Sequence, residues 1–365
     1  MTPPPLGMLA ELTHRCPLQC PYCANPLEMD RASAELDTAS WQRVMTEAAE
    51  LGVLQVHFSG GEPTIRRDLL TLLAHARDLQ LYSNLITSGV TLTADSVAAL
   101  RDAGLDHVQL SFQDSQSAGG DHIGGLQGGH ARKLTAARLI REAGFPLTAN
   151  FVVHRQNLAR LPDMIALGEA MGAGRIEIAH VQYYGWGLLN RDALLPMPDQ
   201  IDRADAVVAE ARQRLSGHLV IDYVTPDYYA ARPKSCMGGW GRQFMNITPS
   251  GRVLPGHAAE TLTDLTFPSV RDASLAQIWQ TDPAFERYRG TDWMAEPCRS
   301  CNRREIDWGG CRCQAFALTG DAAATDPACA LSPDHAVMAA AMAAPRSDDF
   351  TYRRIGGAPA AVTPP

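Results

Sequence analysis

Cys16-Pro17-Leu18-Gln19-Cys20-Pro21-Tyr22-Cys23 places three cysteines within eight positions, at Cys-x3-Cys-x2-Cys spacing. Thiolates are the usual ligands of iron–sulfur clusters, and a loop so spaced can wrap three of them around three corners of one cube. The fourth iron would have no protein ligand nearby, and an open iron can bind a small chelating molecule. A structural zinc site is the competing reading. Such sites want four closed ligands, commonly in Cys-x2-Cys pairs, and three unevenly spaced cysteines fit poorly. A second set of cysteines comprises Cys298, Cys301, Cys311, Cys313 and Cys329, with Cys236 well upstream. Taken alone, that set also reads as a zinc ribbon.

The chain has 365 residues and nine cysteines, an odd number, several in tight clusters. Met1-Thr2-Pro3-Pro4-Pro5 lacks the charged region and apolar run of a signal peptide. Clusters in such a chain favour metal ligation over disulfides, and the expected compartment is a reducing cytoplasm. The formal net charge of -8 argues against a non-specific binder of nucleic acid or of an anionic membrane. No apolar run is long enough for a transmembrane helix.

Alternating short strands and amphipathic helices must position the first cysteines. Strand-like runs fall at Met8–Leu12, Leu54–Phe58, Leu79–Ile86, His107–Phe112, Pro146–Val153 and Arg175–Gln182. Between them, apolar residues recur at helical spacing, as in Trp41, Val44, Met45, Ala48 and Leu51. Gly52, Gly104, Gly144 and Gly172 stand where left-handed helix ends are expected. Repeated strand–helix units build a parallel sheet, and six of them predict an α/β fold, a partial (β/α)6 TIM-like barrel with its site at the carboxyl ends of the strands. Ser59-Gly60-Gly61-Glu62-Pro63 falls at one such end, where glycines permit close approach and free carbonyls can accept hydrogen bonds from an ammonium group. Beyond Gly187 a helix over Gln200–Leu215 and a strand over Leu219–Val224 are expected. Cys236 to Cys329 is rich in Gly, Pro and Cys and is expected to be organised around metal. The expected division is a barrel over 1–215, a cluster-binding domain over 216–350 and a flexible tail over 351–365.

With Tyr22 before its third cysteine, the first motif resembles the radical S-adenosylmethionine (SAM) superfamily. The resemblance implies a [4Fe-4S] cluster on Cys16, Cys20 and Cys23, with SAM on the open iron. Reductive cleavage of SAM there would give a 5′-deoxyadenosyl radical. It makes Gly60, Gly61, Glu62 and Pro63 the segment that meets the SAM ammonium, and Asn84, Ser88 and Ser111 candidate contacts to ribose or carboxylate. The later cysteines resemble the SPASM module of peptide-modifying radical SAM enzymes. By that resemblance an outer [4Fe-4S] cluster takes Cys298, Cys301, Asp307 and Cys329, with Asp307 where the module usually has cysteine. An inner [2Fe-2S] or [4Fe-4S] cluster takes Cys236, Cys311 and Cys313. Its fourth cysteine is absent, Gly256 standing at that position, and His257 or an exogenous ligand is the alternative.

Leu12–Pro26, Val108–Asp114, Val153–Asn157 and Ala179–Trp186 resemble the PqqE family of pyrroloquinoline quinone (PQQ) biosynthesis. That resemblance implies a carbon–carbon cross-link between a glutamate and a tyrosine side chain of the precursor peptide PqqA. It also implies the peptide chaperone PqqD and an electron donor such as flavodoxin as partners. Tyr183, Tyr184 and Trp186 are expected near the barrel mouth, either lining a peptide channel or packing as core. No proton-accepting residue can be named from the sequence. Another SPASM peptide maturase is the alternative reading, and a non-catalytic zinc-binding scaffold is the rival from a different class.

Overall fold

A computed structural model describes residues 2–353 of the chain. Strands β1 (Gly7–Glu11), β2 (Gln55–Ser59), β3 (Tyr82–Thr87), β4 (His107–Phe112), β5 (Leu147–Val153), β6 (Arg175–His180) and β7 (Val220–Val224) pair in parallel, each with the next. Helices α1 (Thr38–Leu51), α2 (Leu69–Asp78), α3 (Ala94–Asp102), α4 (Ser117–Gly124), α5 (Gly129–Glu142) and α6 (Leu161–Ala170) form the crossovers between the first six strands. This is the expected α/β partial barrel. The sheet does not end at residue 215, however. β7 extends it past β6, and β8 (Phe244–Ile247) pairs in parallel with β1 on the opposite edge, followed by antiparallel β9 (Val253–Leu254).

Local chemistry accounts for the units. In α1, the Asp37 side chain caps the first turn by accepting from the Ser40 amide at 2.8 Å. Trp41, Val44, Met45 and Ala48 then fall on one buried face, and Gly52 closes the helix at φ +102°. Burying each large apolar side chain of that face is worth about 1.5–3 kcal/mol. The other three glycines expected at helix ends also take positive φ. β3 begins at Tyr82 rather than Leu79 because α2 runs to Asp78, and Gln80 must turn the chain at φ +59°.

The two faces of the barrel wall differ. Along β4, Val108, Leu110 and Phe112 are buried under the helices, whereas His107, Gln109 and Ser111 alternate onto the opposite, inner face. That inner face carries a polar network. Gln109 Nε2 and Asn150 Nδ2 each donate to Glu177 Oε2 at 2.8 Å, and Asn84 bonds His57 Nδ1 at 3.0 Å. Among the described residues no helix is long and apolar enough to cross a membrane. The first three residues of the expected tail over 351–365 are ordered against the rest of the chain. Thr351, Tyr352 and Arg353 pack on the barrel, with Arg353 only 2% exposed, and 354–365 lie outside the described residues.

Candidate cluster and SAM sites

The first cysteine loop leaves the carboxyl end of β1 and is pinned by its neighbours. The Gly61 amide donates to the Thr13 carbonyl at 2.5 Å, and the Glu62 amide to the Arg15 carbonyl at 2.8 Å. A Cβ on Gly60 would collide with the Thr13 carbonyl, and one on Gly61 with the Arg15 carbonyl. Both glycines are therefore demanded by backbone meeting backbone, with Gly60 at φ +121°. On the far side the Gln19 amide donates to the Gly124 carbonyl, and Gln113 Nε2 points at Cys20 Sγ from 3.7 Å.

All nine cysteines are free, and those of this loop are partly exposed. Burial pushes the Cys16 thiol up to about 12 and the Cys20 thiol to about 11, and it raises Cys23 as well. Metal binding must therefore displace protons from all three. The donor set fits an iron–sulfur cluster: three soft sulfurs on one loop, with buried Gln113 Oε1, Tyr22 Oη and His154 Nε2 left without partners around it.

The candidate SAM contacts divide. Glu62 is wholly buried, and its carboxylate accepts from the hydroxyls of Thr64, Thr87 and Ser88 and from the Ser88 amide at 2.9 Å. Its side chain and the Ser88 hydroxyl thus bracket β2 to β3. Pro63 opens a short 3-10 turn, Pro63–Ile65. Asn84 lies three residues before the end of β3, inside the barrel wall rather than at its mouth, with Oδ1 unpartnered. Ser111 faces inward near the end of β4, and its carbonyl accepts from Lys133 Nζ at 2.7 Å.

Lys133 escaped the sequence reading. It sits on the buried face of α5 with Ala136, Ala137 and Ile140. Burial lowers its ammonium to about 8, against the opposing charges of Cys20, Glu62 and Cys16. A lysine at a core position of an amphipathic helix was the available signal.

Both carboxy-terminal ligand sets come together. Cys298, Cys301, Asp307 and Cys329 line one small pocket with Arg232 and Thr325, and Arg232 Nη1 lies 3.3 Å from Cys329 Sγ. Cys236, Cys311 and Cys313 lie close enough that the ionisation of one thiol is linked to the others, and burial opposes the thiolate at all three. Among the described residues no three His, Cys, Asp or Glu side chains are arranged to hold a single metal ion. At Gly256 a Cβ would meet nothing within 4 Å. His257 turns away from the cysteines: its Nε2 lies 2.9 Å from Glu11 Oε1 at the end of β1. Burial opposes both charges of that pair. Even so, Glu11 is held down at about 2 by His14 and His257, and His257 is raised by Glu11.

The three aromatics after β6 also part ways. Tyr183 stacks edge-on against Tyr228 at 4.8 Å, and Trp186 is buried with Nε1 toward the Pro26 carbonyl, so both are core. Tyr184 is partly buried, and burial raises its hydroxyl, as do Cys311, Cys313, Cys236 and Glu11 beside it. It lies near both the inner cysteines and Glu11 at the end of β1.

Comparison with known proteins agrees with this layout. The Radical SAM superfamily model matches residues 10–168, and an iron–sulfur cluster-binding domain model, SPASM, matches 236–302. A crystal structure of Streptococcus suis SuiB bound to S-adenosylmethionine superposes at TM-score 0.73, with 20% identity, over 87% of this chain and 75% of that one. The PqqA peptide cyclase of Granulibacter bethesdensis is 66% identical over 98% of this chain and 96% of its own length. That of Rhodopseudomonas palustris is 63% identical over 97% and 95%. With a cysteine loop at the barrel mouth, two further ligand sets beside it and such identity from end to end, the chain belongs to the PqqA peptide cyclase family of radical SAM enzymes.

Proposed function

We propose that this enzyme forms a carbon–carbon bond between a glutamate side chain and a tyrosine ring of PqqA, an early step in PQQ biosynthesis. Its near full-length identity to PqqA peptide cyclases carries the reading. Membership of that family displaces the non-catalytic zinc scaffold. When bound, SAM and the first cluster supply hydrogen-atom abstraction after one-electron reduction.

The chain's own residues do the rest. Cys16, Cys20 and Cys23 present the thiolates, and Gly60 and Gly61 hold the loop that carries them by packing backbone against backbone at Thr13 and Arg15. Lys133, near Cys16, Cys20 and Glu62, suits an anionic group such as the SAM carboxylate. Re-forming the tyrosine ring after the new bond releases one electron and one proton. Tyr184, near both Glu11 at the end of β1 and the cysteines at 236, 311 and 313, suits a place beside the route of that electron to the inner site. The barrel, with β7 and β8 extending its sheet past residue 215, and the later cysteine-bearing segments thus divide into radical generation and electron acceptance. The outer set suits a [4Fe-4S] cluster, and the inner set a [2Fe-2S] or [4Fe-4S] cluster with a ligand still to be supplied. PqqD as peptide carrier and a flavodoxin-like donor complete the scheme, and nine free cysteines suit a reducing cytoplasm.

Anaerobic reconstitution with PqqA, PqqD, SAM and a reductant, followed by mass spectrometry of the peptide, tests this. Loss of two hydrogens mapped between one glutamate and one tyrosine is expected. Formation of 5′-deoxyadenosine with PqqA unchanged would overturn the substrate assignment and leave the radical SAM chemistry standing.

A further inference from the structure

Arg353 comes from the far end of the described chain, yet it is 2% exposed inside the first cysteine loop. Its Nη1 donates to the His14 carbonyl at 3.1 Å and approaches Met29 Sδ at 3.4 Å. Its Nη2 donates to the Cys16 carbonyl at 3.2 Å and to the Leu18 carbonyl. One planar guanidinium therefore ties three carbonyls of the segment that carries the cysteines, a geometry only arginine's fixed fork supplies.

The residues before it are also anchored. The Thr351 amide donates to Asn190 Oδ1 at 2.6 Å, while Asn190 Nδ2 donates to the Pro21 carbonyl between Cys20 and Cys23. Tyr352 donates to the His122 carbonyl at 2.9 Å, and Phe350 packs edge-on against His154 at 6.0 Å.

A buried cation costs free energy unless paired, and among the described residues no carboxylate is paired with this guanidinium. What surrounds it is the Met29 thioether and the carbonyl oxygens of His14, Cys16 and Leu18, so its charge is set into the backbone of the segment that carries Cys16 and leads to Cys20. Lys133 is the other buried cation that acts on this loop, toward Cys16 and Cys20.

We propose that Arg353 is a positioning residue for the first cluster. Its guanidinium fixes the loop carbonyls and supplies the buried positive charge that lets a cluster on Cys16, Cys20 and Cys23 accept an electron. Reduction adds negative charge to the cluster, so a fixed cation beside it favours the reduced form. This rests on the assignment of the cluster to those cysteines, and holds whichever peptide is the substrate.

The test compares Arg353→Lys and Arg353→Gln with the unaltered full chain. The readout is an EPR-monitored redox titration of the reduced signal that responds to added SAM, which belongs to the first cluster alone. In Arg353→Gln the reduced-to-oxidised ratio at fixed potential is expected to fall about tenfold, a shift of about 59 mV to more negative potential. Arg353→Lys keeps the charge but loses the fork. It is expected to hold a near-unaltered midpoint while losing first-cluster iron to a chelator several times faster. An unchanged midpoint in Arg353→Gln overturns the electrostatic role. If that variant retains too little cluster to titrate, the lysine variant decides: an unaltered midpoint supports the proposal, and iron as poorly retained as in the glutamine variant overturns it. Peptide cross-linking takes no part in either readout, so failure here is distinct from failure of the substrate assignment.

Discussion

Cys16, Cys20 and Cys23 are held in place by residues remote in sequence, whereas Cys236, Cys311 and Cys313 sit in a region that builds its own frame. The first loop draws on Gly61, Gly124, Asn190 and Arg353, spread over the whole chain. Around Cys311 and Cys313 the supports are local. Arg312 donates to the Gly309, Ala322 and Ala324 carbonyls, and Asp326 accepts from the Cys311 and Ala328 amides and from Gln314. The barrel has a single large apolar core to which a distant strap can be fastened. Around the later cysteines the apolar clusters are small, and buried polar side chains brace them. The two cysteine sets thus have separate means of support.

Opposite substitutions should split the two regions. Cys20→Ala is expected to reduce 5′-deoxyadenosine formation to background while iron in the carboxy-terminal sites stays. Asp326→Ala leaves three buried donors unpaired, at about 1–3 kcal/mol each. It is expected to shed carboxy-terminal iron while SAM cleavage continues. Iron per chain and 5′-deoxyadenosine yield, measured on both variants, check this, and parallel losses would show that the regions stand or fall together.

A smaller effect is expected at Gly256. The open space around it, and a backbone outside the left-handed region, admit Gly256→Cys without strain. The variant should retain inner-site iron against a chelator severalfold longer, with the first cluster unaffected; unchanged retention would place the missing ligand elsewhere.

The smallest effect concerns the Glu11–His257 pair, which ties the segment after β9 to β1. Glu11 is depressed, so its contribution is present above its ordinary value and lost as pH falls toward about 2. His257 is raised, so its contribution is complete below its ordinary value near 6.5 and lost as pH rises through the folded value. Thermal unfolding followed from pH 5 to 9 should therefore show a decline on the alkaline side that His257→Gln removes. The same decline in the variant would assign it to another group.

What the sequence disclosed follows the reach of each interaction. His107–Phe112 was read to the residue, because alternation of Val108, Leu110 and Phe112 is a local signal. The outer quartet, Asp307 included, was legible through the resemblance to the SPASM module rather than from the residues alone, and all four side chains line one pocket. Glu62 fell in the expected segment, but its carboxylate turns inward to Thr87 and Ser88, partners more than twenty residues away. Lys133 carried a faint signal. Arg353, followed by a stretch of Gly, Ala and Pro, carried none, because its partners lie at the other end of the chain.

The pairing of β1 with β8 has a consequence for the chain as it is made. Gly7 bonds to the strand that starts at Phe244, so one edge of β1 has no partner until the sequence through Ile247 has left the ribosome. An unpaired parallel edge is a template for wrong partners, and contacts so distant in sequence form slowly. Met8 and Ala10, both 0% exposed once folded, would be open to water or to a chaperone throughout that interval. Production of this enzyme should therefore gain more from slower synthesis or added chaperone than its apolar content alone would suggest.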